Sequence, residues 1–218
     1  MSISITEENY LKAIYSIAGK EPGKIPNQTI AKELEINPAT VTEMLRKLAE
    51  KGWISYNRID GAALTGEGEK LALRVIRKHR LWETFLVRNL GFSWDEVHEV
   101  AEQLEHIQSE KLLDELDRFL GFPTFDPHGD PIPNASGEMP SHQTILLSEC
   151  KPGEIRRFVA VANHAPAFLQ FLDKIGLQLE DYIEIEEILE FDQSMHVRLK
   201  EARKTIFSAA VCAGIRVS

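Results

Sequence analysis

A chain of 218 residues can hold two or three small modules around a sizeable core, and 43% hydrophobic with 27% charged residues is an ordinary globular balance. No apolar run approaches the ~20 residues that span a bilayer. The opening Met1-Ser2-Ile3-Ser4-Ile5-Thr6-Glu7 lacks the basic and apolar regions of a signal peptide. Cys150 and Cys212 stand far apart with no pairing pattern, so the expectation is a cytoplasmic protein with reduced thiols and no membrane partner. The net charge of −9 stands against a chain-wide phosphate-binding surface, but DNA contact needs positive charge only where phosphates approach.

In chain order, Thr6 is placed to cap a helix carrying Leu11, Ile14, Tyr15 and Ala18, closed by Gly19, with a break at Pro22-Gly23. Asn27 is placed to cap a short helix from Gln28 to Leu34. After the Glu35-Ile36-Asn37 turn, Pro38 opens a helix to Lys51, where its missing N–H is harmless. Val41, Met44, Leu45 and Leu48 give that helix an apolar stripe. Two short β segments, 53–58 and 62–65, flank Asp60-Gly61 and read as a hairpin. Helix, turn, helix and hairpin together make a winged helix-turn-helix. Three helices follow, Thr65 to Asn89, Ser93 to Ile107 and Ser109 to Phe119, and then a Pro/Gly-rich stretch from Gly121 to Pro133 that neither helix nor central strand tolerates. Beyond Ser141 the pattern turns to short strands, 153–161, 182–188, 195–199 and 215–217, interrupted by a helix from Pro166 to Lys174, as in a small barrel. The fold class expected is mainly α with β. Its domains are 1–65 (winged helix-turn-helix), 66–140 (helical, ending in a Pro/Gly-rich linker) and 141–218 (small β barrel).

Two constellations carry chemistry. The helix from Pro38 exposes Pro38, Ala39, Thr40, Thr42, Glu43, Arg46 and Lys47, a polar face able to reach base edges and phosphates. Gln28 and Thr29 on the preceding helix and Arg58 in the wing are candidates to join it on double-stranded DNA. The charges from Asn27 to Asp60 cancel, five bases against five acids, while Arg74, Arg77, Lys78 and Arg80 cluster further on. A solvated helix face would look similar, and the wing is what favours DNA. The second constellation is His98, Glu102, Glu105 and His106, spaced i, i+4, i+7, i+8, with His79 and Glu83 at i, i+4 on the preceding helix. Imidazoles and carboxylates converging from two helices suit a divalent ion, although acids and histidines also dot solvated helices. His128, in a Pro-His-Gly loop, reads as fixing a turn by side-chain hydrogen bonding. A non-haem metalloenzyme built on helical carboxylates, and a winged helix that binds protein, are the alternatives to a DNA-binding regulator without enzymatic activity.

The chain resembles the DtxR/MntR family of metal-dependent repressors along nearly its whole length. The resemblance rests on TEENYLKAIY (6–15), PATVTEM (38–44), Leu64-Thr65, RKHRL (77–81), VHEVAE (97–102), LEH (104–106) and PHGDPIP (127–133). It implies a homodimer binding a palindromic operator and repressing metal-homeostasis genes, with a C-terminal SH3-like (FeoA-like) domain. It also implies a primary metal site at Asn9, Glu102, Glu105 and His106, an ancillary one at His79, Glu83 and His98, and a position for a C-terminal-domain ligand at His164, which reads equally as a surface histidine. Iron-type members carry a thiol at the Glu102 position and a thioether at Asn9. The oxygen donors here suit Mn²⁺ or Fe²⁺. Manganese-type members carry an aspartate at Asn9, so the neutral amide implies weaker binding. Some carry an acid at Lys12, and a charged lysine does not ligate, so a two-manganese cluster using that acid is not expected.

Overall fold

A computed structural model describes residues 3–20, 23–141 and 143–218, so the expected break at Pro22 lies outside the described residues. Helix α1 (Ile5–Lys20) starts ahead of the position that a Thr6 cap would give it. The Ser4 hydroxyl accepts from the Glu7 N–H at 3.3 Å while the Glu7 carboxylate accepts from the Ser4 N–H at 3.1 Å, a reciprocal capping box, so Ser4 and not Thr6 caps it. Helix α2 (Asn27–Glu33) follows Pro26. Asn27 is not its cap either: the side-chain amide donates to the Thr42 hydroxyl and the Tyr56 phenol, each at 3.0 Å, tying α2 to the next helix and the wing. Helix α3 (Pro38–Glu50) has Pro38 in its first turn and Asn37 accepting from the Ala39 N–H at 2.9 Å.

The wing is the antiparallel pair β1 (Ile54–Asn57) and β2 (Gly61–Leu64), in register from Ile54 opposite Leu64 to Asn57 opposite Gly61. Tyr10, Leu11, Ile14, Ile30, Val41, Leu45, Leu48, Ile54 and Ala62 form one buried core beneath these elements. Helix α4 (Gly66–Leu90) is a single 25-residue helix opened by Thr65, whose hydroxyl accepts from the Gly68 N–H at 3.2 Å. Helix α5 (Val97–Leu104) is shorter than the expected span from Ser93, because residues 94–96 are turns and the Val97 N–H bonds back to the Ser93 carbonyl at 3.2 Å. Helix α6 (Glu110–Phe119) packs Leu113 and Leu116 with Leu81 and Ile132.

The C-terminal part is a six-stranded antiparallel sheet. Its strands are β3 (Ile145–Leu146), β4 (Ile155–Val161), β5 (Tyr182–Ile188), β6 (Met195–Arg198), β7 (Lys204–Phe207) and β8 (Ile215–Val217), in the order β3-β8-β4-β5-β6-β7. Helices α7 (Pro166–Lys174) and α8 (Ala209–Ala213) share its core of Phe158, Leu172, Ile183, Val197 and Phe207. β3, β7 and α8 escape the sequence pattern because they are two to five residues long, too short for a period to register. Both cysteines are free and buried in that core. No helix is long and apolar enough to cross a membrane among the described residues. By contacts the chain groups into two compact units. One holds residues up to His79 with Gln103–Glu110 and Pro133–Glu138, the other Arg80–Glu102, Lys111–Ile132 and Met139–Ser218.

Gly61 opens β2 with φ +102°, and a Cβ there would lie 2.2 Å from the Ile25 carbonyl oxygen. That approach exists because Ile25 and Ala62 exchange two backbone hydrogen bonds, at 2.7 and 2.9 Å. Gly61→Ala therefore meets both a clash and an unfavourable backbone conformation. It should destabilise the chain by on the order of 2 kcal/mol in urea unfolding. An unchanged midpoint would mean that the wing is not held in this way.

Candidate metal centre

Candidate ligands lie in both units. In the first unit α1 presents Glu8, buried to 2% exposure, one residue before Asn9. One step along a helix is about 100°, so adjacent side chains point to different faces. The carboxylate that meets His106 is that of Glu8, 2.6 Å from His106 Nδ1, and Asn9 sits half-buried beside it. Glu8 also accepts from Lys78 Nζ at 3.0 Å and the Gln108 amide at 2.9 Å. Burial pushes its carboxyl up, but the bonds from His106, Gln108 and Lys78 outweigh that and hold it below the ordinary value. Glu105, 1% exposed, accepts from Lys12 Nζ at 3.0 and 2.7 Å and lies 2.5 Å from His79 Nδ1. His106 Nε2 stands 3.8 Å from the other Glu105 oxygen. Glu8, Glu105, His79 and His106 thus form one buried network with Lys12 and Lys78 built in.

In the second unit, the latter part of α4 presents Glu83, α5 presents His98 and Glu102, and the Pro/Gly-rich loop presents Asp126, His128 and Asp130. His98 Nδ1 lies 3.4 Å from Glu83 and its Nε2 3.4 Å from Glu102. Glu102 thus faces His98. The loop is held by its own backbone: Asp126 Oδ1 accepts from the N–H of His128 at 2.8 Å and of Asp130 at 2.9 Å. The Val161 N–H donates to the His128 carbonyl at 2.9 Å, and Gly129, at φ +85°, lies so close to β4 that a Cβ would fall 2.0 Å from the Val159 oxygen. His128 Nε2 donates to the Trp94 carbonyl at 3.0 Å, which leaves Nδ1 facing Glu83 at 3.7 Å. The histidine fixes the loop, as its sequence context suggests, and also aims a nitrogen at the carboxylates. A hydrogen bond on one ring nitrogen is what orients the other for a metal.

Glu83, Asp126 and His128, all buried, each offer a ligand atom within 4.8 Å of the others. Their electrostatics draw protons to the site. Burial, then the charges of Asp130 and Glu83, push the Asp126 carboxyl up to about 7 in spite of Arg80, 3.6 Å away. His98 is raised to about 9 by Glu102 and Glu83. His128 reaches about 9 because Glu83, Asp126 and the Trp94 carbonyl overcome the opposing effect of burial. His164 stacks on His128 at 5.4 Å between ring centroids, with its Nε2 3.5 Å from Asp130. Burial and the His128 charge hold its pKa below the ordinary value against the pull of Asp130, so it stands as a neutral nitrogen donor beside the carboxylates. Two carboxylates and an imidazole, with a second imidazole adjacent, fit a hard or borderline divalent cation. The sequence passed over Glu8 and Asp126. Asp126 lies in a loop, where no period tells which way a side chain points, and Glu8 is next to a residue that the family pattern favoured.

The candidate DNA-contacting residues are mostly open. Gln28, Pro38, Ala39, Thr40, Glu43, Arg46, Lys47 and Arg58 are exposed, while Thr29 and Thr42 are half-buried and Thr42 accepts from Asn27. Lys47 lies 2.9 Å from buried Glu7, which also holds Lys51 at 2.7 Å. Burial raises the Glu7 carboxyl, but those two lysines bring it down to about 2.

The family model described as the iron dependent repressor N-terminal DNA binding domain matches residues 3–62, and that of the iron dependent repressor metal binding and dimerisation domain matches residues 65–134. The iron-dependent repressor IdeR of Mycobacterium leprae is 37% identical over 129 residues, 59% of this chain and 55% of that protein, so the match spans about half the length of this curated relative. An uncharacterized HTH-type transcriptional regulator of Methanocaldococcus jannaschii is 36% identical over 120 residues, 55% of this chain and 94% of that protein. Among solved structures, a manganese-dependent transcriptional repressor in complex with manganese is 34% identical with a TM-score of 0.88, covering 97% of this chain and 98% of that one.

The pKa shifts of Asp126, His98 and His128 all have one sign. A carboxyl raised from 3.8 to about 7 withdraws stability as pH climbs through that interval, and histidines raised from 6.5 to about 9 lose theirs as pH climbs through the upper one. Chelator-treated protein should therefore melt at progressively lower temperature from about pH 5 to about pH 9, and saturating Mn²⁺ should flatten that slope. A melting temperature that rises with pH in chelator would contradict this electrostatic reading.

Proposed function

Because this chain belongs to the DtxR/MntR family of iron- and manganese-dependent repressors, we propose that it is a divalent-metal-activated repressor that binds operator DNA as a homodimer. The observation that carries the metal half of this reading is the buried Glu83–Asp126–His128 trio, whose ligand atoms lie within 4.8 Å of one another and whose bound protons a divalent cation would displace. Glu83, Asp126 and His128 would hold the ion, with His164 and His98 in reach as further nitrogen donors and His79 one turn before Glu83 on α4. Among the described donors, oxygens with imidazole favour Mn²⁺ or Fe²⁺ over a thiophilic ion. What the ion supplies is charge. With it in place, Glu83 on α4 and Asp126 in the loop would share one cation instead of relying on bound protons. α4 is one unbroken helix whose Gly68 lies against the Trp53 carbonyl at the wing, so order gained along α4 bears on the reading head.

On the DNA side, α3 would enter the major groove with Thr40, Glu43 and Arg46 toward base edges, and Arg58 in the wing would reach phosphate. Exposed Leu112 and Phe119 on α6, with Phe122 after it, support self-association, since a globular chain seldom leaves such side chains open without a partner. Two heads held at fixed spacing would read a palindrome by population shift, and a full switch needs about 5.5 kcal/mol of preference for the ordered state. The family match favours this reading over a metalloenzyme or a protein-binding winged helix.

The experiment is a titration of promoter DNA binding against Mn²⁺, Fe²⁺ and chelator. Glu83→Gln and His128→Ala should each remove the metal-dependent gain in DNA affinity while leaving the folded dimer. Arg46→Ala should weaken DNA binding by about 1–3 kcal/mol with metal uptake intact. Equal retention of DNA in chelator and in Mn²⁺ would sink the proposal.

A further inference from the structure

The Glu105 network is built differently from the Glu83 trio, and the difference lies in Lys12. Its ammonium reaches both oxygens of one buried carboxylate, at 3.0 and 2.7 Å, and stands 3.3 Å from His79 Nδ1. His79 Nδ1 is itself 2.5 Å from Glu105. Both oxygens of a buried carboxylate on one positive centre are donors that a divalent ion would take, and here a side chain supplies the positive centre. The second carboxylate of the network, Glu8, is matched in the same way by Lys78, both buried. Each acid thus has its own lysine, Glu105 with Lys12 and Glu8 with Lys78, and neither is left to attract a cation. In the Glu83 trio Arg80 stands 3.6 Å from Asp126 and His128 Nδ1 faces Glu83 at 3.7 Å, so an imidazole stands where the other network places a lysine.

We infer that Lys12 is a resident cation of the Glu105 site, filling with an ammonium the place of a divalent ion and holding α1 to the 103–110 segment without one. An incoming dication would meet a like charge at contact range in a partly buried site, where repulsion is far less screened than in water. It would also have to leave the lysine without its carboxylate. The site is accordingly closed by default, and the sensing of metal falls to Glu83, Asp126 and His128. This deepens the proposed function and rests on the chain binding divalent metal at all.

Mn²⁺ binding to the full-length chain, by equilibrium dialysis and isothermal titration calorimetry, separates the two ideas when run on wild type, Lys12→Gln, Lys12→Arg and Glu83→Gln. The wild type should take up one tight ion per chain, and Glu83→Gln should lose it. Lys12→Gln should gain a second ion with affinity raised at least about tenfold over any weak second binding in the wild type. Lys12→Arg, which keeps the charge, should not gain it. In chelator Lys12→Gln should melt below the wild type, and Mn²⁺ should close the gap. If the variant does not fold in chelator, recovery of fold on adding Mn²⁺ supports the inference equally, and no recovery overturns it. Two equal ions per wild-type chain, or an unchanged stoichiometry and second affinity in Lys12→Gln, would overturn the inference while leaving the proposed function standing. No Mn²⁺ uptake by any of the four chains would overturn both.

Discussion

A carboxylate taken out of water has to be matched by positive charge or take up a proton, because its Born cost in a low-dielectric interior is far larger than any single packing contact can offset. Glu7, Glu8, Glu83, Glu105 and Asp126 are all buried in this protein. Most of what distinguishes the molecule from a generic winged helix follows from how each is matched. Glu7 takes Lys47 and Lys51, Glu8 takes Lys78, and Glu105 takes Lys12. Glu83 and Asp126 are supplied by imidazoles and by an arginine at 3.6 Å, and Asp126 holds on to its proton as a result.

The same constraint organises the elements around the sites. The Gly121–Pro133 stretch has no helix or strand of its own to satisfy its backbone, so its amides turn inward onto Asp126 and its carbonyls onto β4 and Arg80. That arrangement makes a loop rigid enough to carry a ligand, and Gly129 is required where it presses on β4. In the winged helix, Glu7 draws Lys47 away from the open face of α3, which leaves Arg46 as the longer cationic reach on that helix. A DNA phosphate approaching α3 would have to compete with a buried acid for Lys47. An acidic protein can grip DNA in this way only where its positive charge is locally released.

The two networks also divide the work of stability and response. Lysine-matched carboxylates are satisfied at any metal concentration, so the Glu8–Glu105 network holds α1 in place as ordinary structure. The Glu83 set is satisfied by protons in the absence of metal, and protons and divalent ions compete for the same lone pairs. Under the proposed function, response to a cation would belong where protons rather than lysines match the carboxylates.

The sequence by itself determined the periodic elements: α3 with Pro38 in its first turn, the Asp60-Gly61 wing, α4 nearly to the residue, α7 and β5. In each, an apolar repeat and a capping or breaking residue agree, and both signals are local. It also placed His79, Glu83, His98 and Glu105 among the metal-type residues. Only the tertiary structure decided that Glu8 rather than Asn9 faces His106, that Asp126 completes a trio with Glu83 and His128, and that Lys12 occupies the Glu105 carboxylate. Those partnerships join residues far apart in sequence, 98 positions for Glu8 and His106 and 93 for Lys12 and Glu105, or lie in a loop without a period. Which side chain neutralises which is settled by proximity in the folded core, and a linear pattern holds no record of that distance.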